Sequence, residues 1–299
     1  MGTASAGAGD DGLDDPVEPA SLGFVGLGDM GGAMATHLLD AGFPLIVHDL
    51  ADASVAPVVE AGAGRAASAA AVAEASDHIG VCVPADGHVI EVVAGPDGIL
   101  DGARPGTSVA VHSTVRPETV VSLAEQASER DVVVFDAGVA GGADKARAGQ
   151  LAITVGVPEG GLPDAARAAL DASGGIVVEC GPVGTGLATK IANNVMTYLQ
   201  FAGISAAFEV VRAGGGEPDA VLEVLRHNDM LGALTEQFSA VPLMDVADKT
   251  SEGFAPYLWA TIGLAEKDLD LAVALSPDDA GPRPVLEAVR DGMWRVYGM

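Results

Sequence analysis

The amino-acid sequence predicts a doubly wound α/β domain followed by an all-helical domain, with a long helix joining the two. Three observations lead to this fold class. Short runs rich in Val and Ile alternate with Ala-rich helical stretches from Ser21 onward, this alternation stops after Pro182, and a long stretch of helical spacing then runs from Gly186 to Ala213. Apolar runs without polar alternation are typical of a parallel sheet that helices cover on both faces.

The elements follow one another in a regular order. Strands are predicted at residues 22–26, 45–48, 78–83, 108–112, 132–136, 151–155 and 176–179. Helical stretches lie between them, the clearest at residues 32–40, 68–74 and 117–130. After the long helix, further helices are predicted at residues 218–227, 231–238, 258–275 and 284–297. We therefore expect an α/β domain over residues 21–184 and an all-α domain over residues 185–299.

The charge of the chain is strongly negative, with 42 acidic against 15 basic residues and a formal net charge of −27. Such a surface repels nucleic-acid phosphates and anionic lipid, so neither a nucleic acid nor a membrane is an expected partner. No uncharged apolar run is long enough for a transmembrane helix. Residues 1–20, rich in Gly, Ala and Asp, lack the pattern of a signal peptide and are predicted to form a disordered tail. These features favour a cytoplasmic protein.

The cysteines and one strand-end histidine are expected to be structural. Cys82 and Cys180 are too few for a disulfide framework and lack the spacing of metal ligands, so no metal site is predicted. Each lies in an apolar, strand-like run, where a buried, inert thiol is expected. His112 ends a predicted strand, a position at which a structural role is favoured over acid–base chemistry.

A glycine-rich turn directly follows the first predicted strand. The segment Gly26-Leu27-Gly28-Asp29-Met30-Gly31 matches G-x-G-x-x-G, with the strand LGFVG before it and a helix after it. In this motif the first glycine permits the tight turn, the second lets the backbone approach a pyrophosphate, and the third lets the helix pack against the strand. In a chain with 40 glycines the alternative is a merely glycine-rich turn. The flanking strand and helix favour a dinucleotide-binding Rossmann domain instead.

Asp49 ends the second predicted strand, at the distance from the turn that this motif requires. An acid in that place hydrogen-bonds the adenosine ribose hydroxyls of the cofactor. A 2′-phosphate beside a carboxylate is repelled, and NADP sites usually place Arg nearby. The segment His48-Asp49-Leu50-Ala51-Asp52 contains no base after the acid, so NAD is predicted and NADP is disfavoured.

A second group of polar residues opens the long helix. Lys190 and Asn194 are four residues apart and therefore share a helix face, with Asn193 and Thr197 alongside. The chain has only four lysines, so one near an otherwise apolar helix start needs a reason. From the residues alone, a snorkelling or ion-paired surface lysine is as good an explanation as a functional one.

A resemblance to a known family favours the functional interpretation. The segments GFVGLGDMGGAMATHLLDAG, DAGVAGGADKARAGQLAITVGV, GPVGTGLATKIANNVM and EKDLDLA occur in the order found in the β-hydroxyacid dehydrogenases, and they span about residues 21 to 275. That family includes 3-hydroxyisobutyrate dehydrogenases and tartronate semialdehyde reductases. The resemblance implies that the long helix crosses between the domains, and that the protein forms a homodimer or homotetramer.

The resemblance also implies a role for individual residues. Lys190 looks like the catalytic lysine, and Asn194 looks like the residue that orients it. The implied substrate contacts are Ser113, Thr114, Gly141, Gly142 and Lys267. The implied cofactor contacts are the six residues of the glycine turn, Asp49, Val83, Pro84, Thr114, Lys267 and Asp268.

The chemistry explains why a lysine is suited to the site. When hydride leaves a carbon that bears a hydroxyl, the hydroxyl proton must pass to a base, and the reverse reaction needs an acid. A lysine can do both if burial and the positive nicotinamide lower its pKa toward neutrality. One departure from the family pattern concerns the substrate: the usual D-A-P-V-S-G-G reads Asp136-Ala137-Gly138-Val139-Ala140-Gly141-Gly142, so Ala140 stands where a serine is expected.

The sequence thus predicts an NAD-dependent oxidoreductase acting on a small 3-hydroxy acid resembling 3-hydroxyisobutyrate. One alternative is an NAD(P)H-dependent imine or ketone reductase of the same fold, which usually carries another residue type in place of Lys190. Another is a non-catalytic NAD-binding homologue, which predicts a broken pair, whereas Lys190 and Asn194 are both present. Sugar-phosphate dehydrogenases with a related core are disfavoured, because they need bases to hold phosphate.

Overall fold

The alternating apolar runs form one eight-stranded sheet in a computed structural model that describes residues 20–278 and 281–299. The predicted N-terminal tail lies outside the described residues, apart from Ala20. The strands are β1 (Leu22–Val25), β2 (Leu45–His48), β3 (Gly64–Arg65), β4 (His78–Val81), β5 (Ser108–Val111), β6 (Val133–Ala140), β7 (Leu151–Val157) and β8 (Gly174–Pro182). Their order across the sheet is β3-β2-β1-β4-β5-β6-β7-β8. The chain reverses its direction of travel across the sheet after β3, so the predicted doubly wound α/β fold is confirmed.

Helices connect these strands and cover both faces of the sheet. They are α1 (Asp29–Asp40), α2 (Asp52–Glu60), α3 (Ala69–Glu74), α4 (Asp86–Ala94), α5 (Ile99–Gly102), α6 (Pro117–Ser128), α7 (Gly142–Arg147) and α8 (Asp164–Ser173). Every residue of β1, β4 and β5 is buried, because successive side chains point into two separate cores. Phe24 belongs to the core beneath α1 and α8, and its neighbour Val25 belongs to the core beneath α3 and α6.

The sheet differs from the sequence-based prediction in two respects. Strand β3 is only two residues long, so it carries no periodic signal and was not predicted. The sheet was expected to be parallel, yet β7 runs antiparallel to β6. Residues 141–150 join these two strands and include only the six-residue helix α7. A parallel crossover needs a dozen or more residues. The connection between β6 and β7 is shorter than that, and the chain therefore returns in the opposite direction.

The remainder of the described chain is helical. Its elements are α9 (Thr185–Ala213), α10 (Pro218–His227), α11 (Ala233–Phe238), α12 (Val246–Lys249), α13 (Ala255–Leu275), α14 (Arg283–Asp291) and α15 (Met293–Val296). The helix predicted at residues 284–297 is divided at Gly292 into α14 and α15. A third core forms where α9, α10, α13 and α14 pack together, with Phe208 and Leu269 fully buried at its centre. The domain boundary at residues 184 and 185 stays a prediction, although α9 begins at Thr185.

The expectation of two buried thiols is only partly met. Cys82 and Cys180 are both half-buried and unpaired. Cys180 lies in β8, which forms one edge of the sheet and exposes Ile176 and Val178 to solvent. The apolar run that suggested a covered strand therefore belongs to an open edge. Among the described residues, no helix combines the length and the apolar character that a membrane crossing requires.

Candidate active site

The three glycines of the turn between β1 and α1 each meet a different steric requirement. Gly26 has φ +90°, and a Cβ atom there would lie 2.3 Å from the Cys82 carbonyl oxygen. A Cβ on Gly31 would lie 1.9 Å from the Gly26 carbonyl oxygen, so only glycine allows α1 to pack this closely. A Cβ on Gly28 would meet nothing within 4 Å. The open side of the turn is therefore at Gly28, where the motif brings a pyrophosphate.

Helix α1 begins at this open side without a side-chain cap. The first N–H groups of a helix have no acceptor within the helix, and they carry a partial positive charge that suits an anion. Asp29 is exposed in the first turn, Met30 is half-buried, and Leu27 is 4% exposed with its side chain in the core. The turn thus fits the diphosphate of a dinucleotide through backbone groups, with open space at Gly28.

Asp49 joins the end of β2 to the glycine turn. Its Oδ2 accepts a hydrogen bond from the Leu27 N–H at 2.6 Å, and its Oδ1 accepts one from the Ala51 N–H at 2.8 Å. The carboxylate is therefore held beside the turn, as a ribose-binding acid needs to be. A base also lies nearby, although none follows Asp49 in sequence: Arg65 on the neighbouring β3 forms an ion pair with Asp52. Sequence reasoning missed Arg65 because only strand pairing brings it to this edge.

The carboxyl ends of β4 and β5 bring the next predicted residues together. The Val83 N–H donates to the Ser113 hydroxyl oxygen at 2.8 Å, and Ser113 is only 4% exposed. Thr114 is half-buried, and its carbonyl oxygen accepts from Lys267 Nζ at 2.8 Å. Pro84 is exposed next to Val83. Ser113 thus links two strand ends through its side chain, while Thr114 links the sheet to helix α13 through its backbone.

The end of β6 supplies the predicted glycine pair. Gly141 and Gly142 have φ +135° and +77°, a left-handed conformation that favours glycine, and both are exposed. Ala140 is half-buried just before them. Gly138 lies against the lysine, because a Cβ there would approach Lys190 Cβ to 2.8 Å. The stem of Lys190 therefore packs directly on β6 at a position where any side chain would displace it.

Asp136 fixes the start of helix α9 against the sheet. Its Oδ1 accepts from the Gly184 N–H and its Oδ2 from the Leu187 N–H, each at 2.6 Å, and Asp136 is fully buried. Burial raises the pKa of this carboxyl above its usual value, against the backbone hydrogen bonds, which lower it. Asp136 was not predicted as a site residue. It sets the place and direction of the helix that carries Lys190.

Lys190 is 9% exposed and lies one and a half turns into α9. Its Nζ donates to Asn194 Oδ1 at 2.9 Å, and Asn194 Nδ2 donates in turn to Asp268 Oδ2 at 2.7 Å. The predicted pair is therefore in contact, and Asp268 on α13 joins it. The Tyr198 hydroxyl donates to the same Asp268 oxygen at 3.2 Å.

Asp268 is the charged centre of this group. It is 2% exposed, and its Oδ1 has no hydrogen-bond partner of good geometry, although Lys267 Nζ lies 3.2 Å away. A buried carboxylate is stable only with such partners around it. We call Lys190, Asn194, Tyr198, Lys267 and Asp268 the lysine network.

The network leaves Lys190 close to the point of titration. Burial lowers the pKa of Lys190 from 10.5 to about 8, a lowering to which Lys267 adds and which the Asp268 carboxylate opposes. The lysine can therefore lose and regain a proton near neutral pH. That is the property a general acid–base group requires.

The two buried histidines lack this property. His112 Nδ1 lies 2.8 Å from the Ala137 carbonyl oxygen, and its ring stacks on Phe24. Burial lowers the pKa of His112 to about 4 and that of His78 to about 3, so both stay neutral at physiological pH. The described residues contain no group of His, Cys, Asp and Glu that could hold a metal ion. Lys190, in contrast, titrates near neutrality.

Known proteins share both the sequence and the fold of this chain. The family profile of the NAD binding domain of 6-phosphogluconate dehydrogenase matches residues 21–181. Human mitochondrial 3-hydroxyisobutyrate dehydrogenase is 34% identical over 258 residues, covering 84% of this chain and 74% of the human one. The chain belongs to the β-hydroxyacid dehydrogenase family. An uncharacterized oxidoreductase of Mycobacterium tuberculosis is 37% identical over 262 residues, which cover 86% of each chain.

Solved structures agree with membership of the β-hydroxyacid dehydrogenases. The 3-hydroxyisobutyrate dehydrogenase of Mycobacterium tuberculosis, solved with L-serine, has a TM-score of 0.78 at 25% identity and covers 93% of this chain and 94% of its own. A reductive aminase from Aspergillus terreus in complex with NADPH and ethyl levulinate has a TM-score of 0.60 at 21% identity, covering 94% of this chain and 95% of its own. At that identity the likeness concerns the fold alone. Family membership gives an oxidoreductase of the NAD(P)-dependent hydroxyacid dehydrogenase type.

Proposed function

We propose that this protein catalyses the reversible oxidation of a small 3-hydroxy acid to its aldehyde or keto acid, with NAD as the cofactor. The observation that carries the proposal is the buried Lys190, held by Asn194 and titrating near neutral pH. Relatives named 3-hydroxyisobutyrate dehydrogenase support the substrate class. A small substrate also suits the glycine pair, whose backbone N–H groups can hold a carboxylate without a bulky partner.

In the proposed mechanism, Lys190 transfers the proton and the nicotinamide cofactor transfers the hydride. The neutral Lys190 amine accepts the proton of the substrate hydroxyl as the carbon–oxygen double bond forms. A bound nicotinamide supplies the hydride acceptor. In the reverse direction the Lys190 ammonium donates its proton to the oxygen of the carbonyl carbon. Asn194 keeps Nζ in place throughout, because its Oδ1 can accept from the amine in both protonation states.

Lys267 is suited to a second, electrostatic role. Its Nζ is bound to the Thr114 carbonyl oxygen and lies beside Asp268, with the side chain 34% exposed. It therefore presents a positive charge at the junction between the sheet and the helical half. We propose that this charge, together with Ser113, Thr114, Gly141 and Gly142, attracts the substrate carboxylate, while Val83 and Pro84 line the cofactor.

The decisive experiment removes the proposed acid–base group. Lys190→Ala is expected to lower turnover of a 3-hydroxy acid by ~10² or more, because general acid–base catalysis contributes about that much. NAD binding, measured by calorimetry, should persist. Thr189→Ala is the matched control, since Thr189 is exposed on the same helix and its hydroxyl donates to the Thr185 carbonyl oxygen. Turnover of the Lys190 variant within about tenfold of the unaltered protein would refute the assignment.

The preference for NAD is proposed on the position of Asp49. Its carboxylate is held at the glycine turn by two backbone hydrogen bonds, where it would repel a 2′-phosphate. Arg65 could attract such a phosphate, but its guanidinium is paired with Asp52. Solved neighbours include complexes with NADP+ and NADPH, so the preference rests on this chain's own residues. The test compares kcat/KM for NAD and NADP, and a clear preference for NADP contradicts it.

We also propose a homodimer or homotetramer that assembles through the helical half. Large apolar side chains are exposed there on α9, α10, α11 and α13, and apolar side chains that gather into one surface mark contact sites. They include Met196, Val210, Val224, Leu234, Tyr257, Trp259 and Leu264. Light scattering coupled to size exclusion should give a multiple of the 29.8 kDa chain mass, and a monomer mass refutes the proposal.

A cytoplasmic location also remains a proposal, since several relatives are mitochondrial.

A further inference from the structure

Three side chains follow one another along a single face of α9. Lys190, Asn194 and Tyr198 are spaced four residues apart. Lys190 donates to Asn194, and both Asn194 and Tyr198 donate to Asp268. The proposed function uses only the first two. The Tyr198 ring is 8% exposed and packs edge-on against Phe201, with a centroid distance of 6.2 Å. Its hydroxyl nevertheless turns toward Asp268, which a purely apolar role would not require.

We propose that Tyr198 is a positioning residue, whose hydroxyl holds the Asp268 carboxylate so that Asn194 presents its oxygen, and not its NH2 group, to Lys190. The inference rests on the proposed function, because positioning matters only if Lys190 transfers the proton.

The two ends of the Asn194 amide differ in what they offer to Lys190. Asn194 could turn either its oxygen or its NH2 group toward Lys190, and only the oxygen can accept from an ammonium. Asp268 decides between them, because an ionised carboxylate accepts hydrogen bonds and therefore requires the NH2 group on its own side. The 2.7 Å bond from Asn194 Nδ2 to Asp268 Oδ2 is the short contact that results.

Tyr198 acts one step further away. Asp268 Oδ2 accepts from both Asn194 and Tyr198, whereas Oδ1 faces Lys267 without a well-formed hydrogen bond. Burial and the Asp268 carboxylate raise the pKa of Tyr198 far above its usual range, so the hydroxyl stays protonated and donates. Without that donor, Oδ2 keeps only the hydrogen bond from Asn194 and is held less firmly. The bond to Asn194 then loses its second support.

The same donor also moderates the charge that Lys190 experiences. Asp268 raises the pKa of Lys190, and Lys267 lowers it. A hydrogen bond from Tyr198 spreads part of the negative charge of Asp268 onto the phenol. Tyr198→Phe therefore leaves a stronger negative charge beside Lys190 and should raise the pKa of the lysine. Asp268→Asn removes the charge and should lower it, so the two variants shift the lysine in opposite directions.

The experiment measures the lysine directly, without turnover. Brief acetylation with dilute acetic anhydride at a series of pH values labels neutral amines, and mass spectrometry of the peptides gives the labelling midpoint for Lys190. The exposed Lys145 in α7 serves as an internal reference. The unaltered protein should show a midpoint near 8 for Lys190. We expect a midpoint higher by ~0.5 pH in Tyr198→Phe and lower by ~1 pH in Asp268→Asn.

Kinetics supply the second readout. Tyr198→Phe should lower kcat by about threefold to tenfold while KM for NAD changes less than about twofold. Phe201→Leu is the packing control: it disturbs the contact with the Tyr198 ring but keeps the hydroxyl, so it should lower thermal stability and leave the labelling midpoint unchanged. The inference is overturned if Tyr198→Phe leaves both midpoint and kcat unchanged, or shifts the midpoint in the same direction as Asp268→Asn.

The labelling result separates this inference from the proposed function. If no 3-hydroxy acid is oxidised but the two midpoints move in opposite directions, the proposed substrate is wrong and the positioning role stands. If turnover depends on Lys190 but Tyr198→Phe behaves as the unaltered protein in both assays, the proposed function stands and Tyr198 only fills the core.

Discussion

The pH dependence of the reaction follows from the pKa of Lys190. Burial lowers that pKa from 10.5 to about 8. At pH 7 an ordinary lysine is neutral in roughly one molecule in 3,000, whereas a lysine with a pKa near 8 is neutral in roughly one in ten. Oxidation needs the neutral amine, so its rate should rise by roughly tenfold from pH 7 to a plateau above about pH 9. Reduction needs the ammonium, so its rate should fall over the same interval.

The assay records initial rates in both directions from about pH 6 to about pH 10, with substrate and cofactor both well below their KM values. Under that condition kcat/KM reports the free enzyme, which is the state whose lysine has been described. The two profiles should cross near the same midpoint, because one group serves both directions. An oxidation profile that is flat through pH 8, or one whose midpoint lies near 10, would show that Lys190 is not the acid–base group or is not buried in solution. Carrying out both profiles in Asp268→Asn should move the midpoint to lower pH, since Asp268 raises the pKa of Lys190.

Two further predictions concern the fold around the site. Gly28→Ala should leave thermal stability unchanged and weaken NAD binding by tenfold or more, whereas Gly31→Ala should destabilise the protein, because only a Cβ at Gly31 would collide with backbone. Calorimetry measures NAD binding and thermal melts measure stability. An equal loss of melting temperature in the two variants contradicts this prediction. Asp136→Asn should lower the free energy of unfolding by ~1.5–3 kcal/mol. The variant's NH2 group would face a backbone N–H, such as that of Leu187, so a hydrogen bond to a charged acceptor is replaced by two donors that point at each other. Urea denaturation checks it, and no change in stability would mean that Asp136 does not anchor α9.

Local features of the site could be predicted from the sequence, because their geometry depends on neighbours in the chain. The glycine turn is of this kind: Gly26, Gly28 and Gly31 act through a tight turn and the helix that follows it. The contact between Lys190 and Asn194 is also local, since residues four apart on a helix are adjacent. The spacing that suggested this pair continues to Tyr198, and extending it by one more turn would have identified that residue.

Features that depend on tertiary contacts could not be predicted in the same way. Arg65 reaches the cofactor edge through the pairing of β3 with β2, and a two-residue strand has no periodicity to reveal it. The antiparallel direction of β7 follows from the length of the connection before it. The Val- and Ile-containing sequence of β7 suits a parallel and an antiparallel strand equally well. Asp136 was visible as part of a family motif, but its role arises only where β6 meets the start of α9.

The lysine network explains why the site needs both halves of the chain. Lys190 is fixed to the sheet by the packing of its stem on Gly138 and by the anchoring of α9 at Asp136. Asp268 and Lys267 on α13, in the helical half, also affect the pKa of Lys190. Lys267 in turn is bound to the Thr114 carbonyl oxygen after the end of β5. A change that loosened α13 from the sheet would therefore admit water to Lys190 and return its pKa toward that of a free lysine. The titration of this lysine is thus a measure of how closely the helical half docks on the sheet.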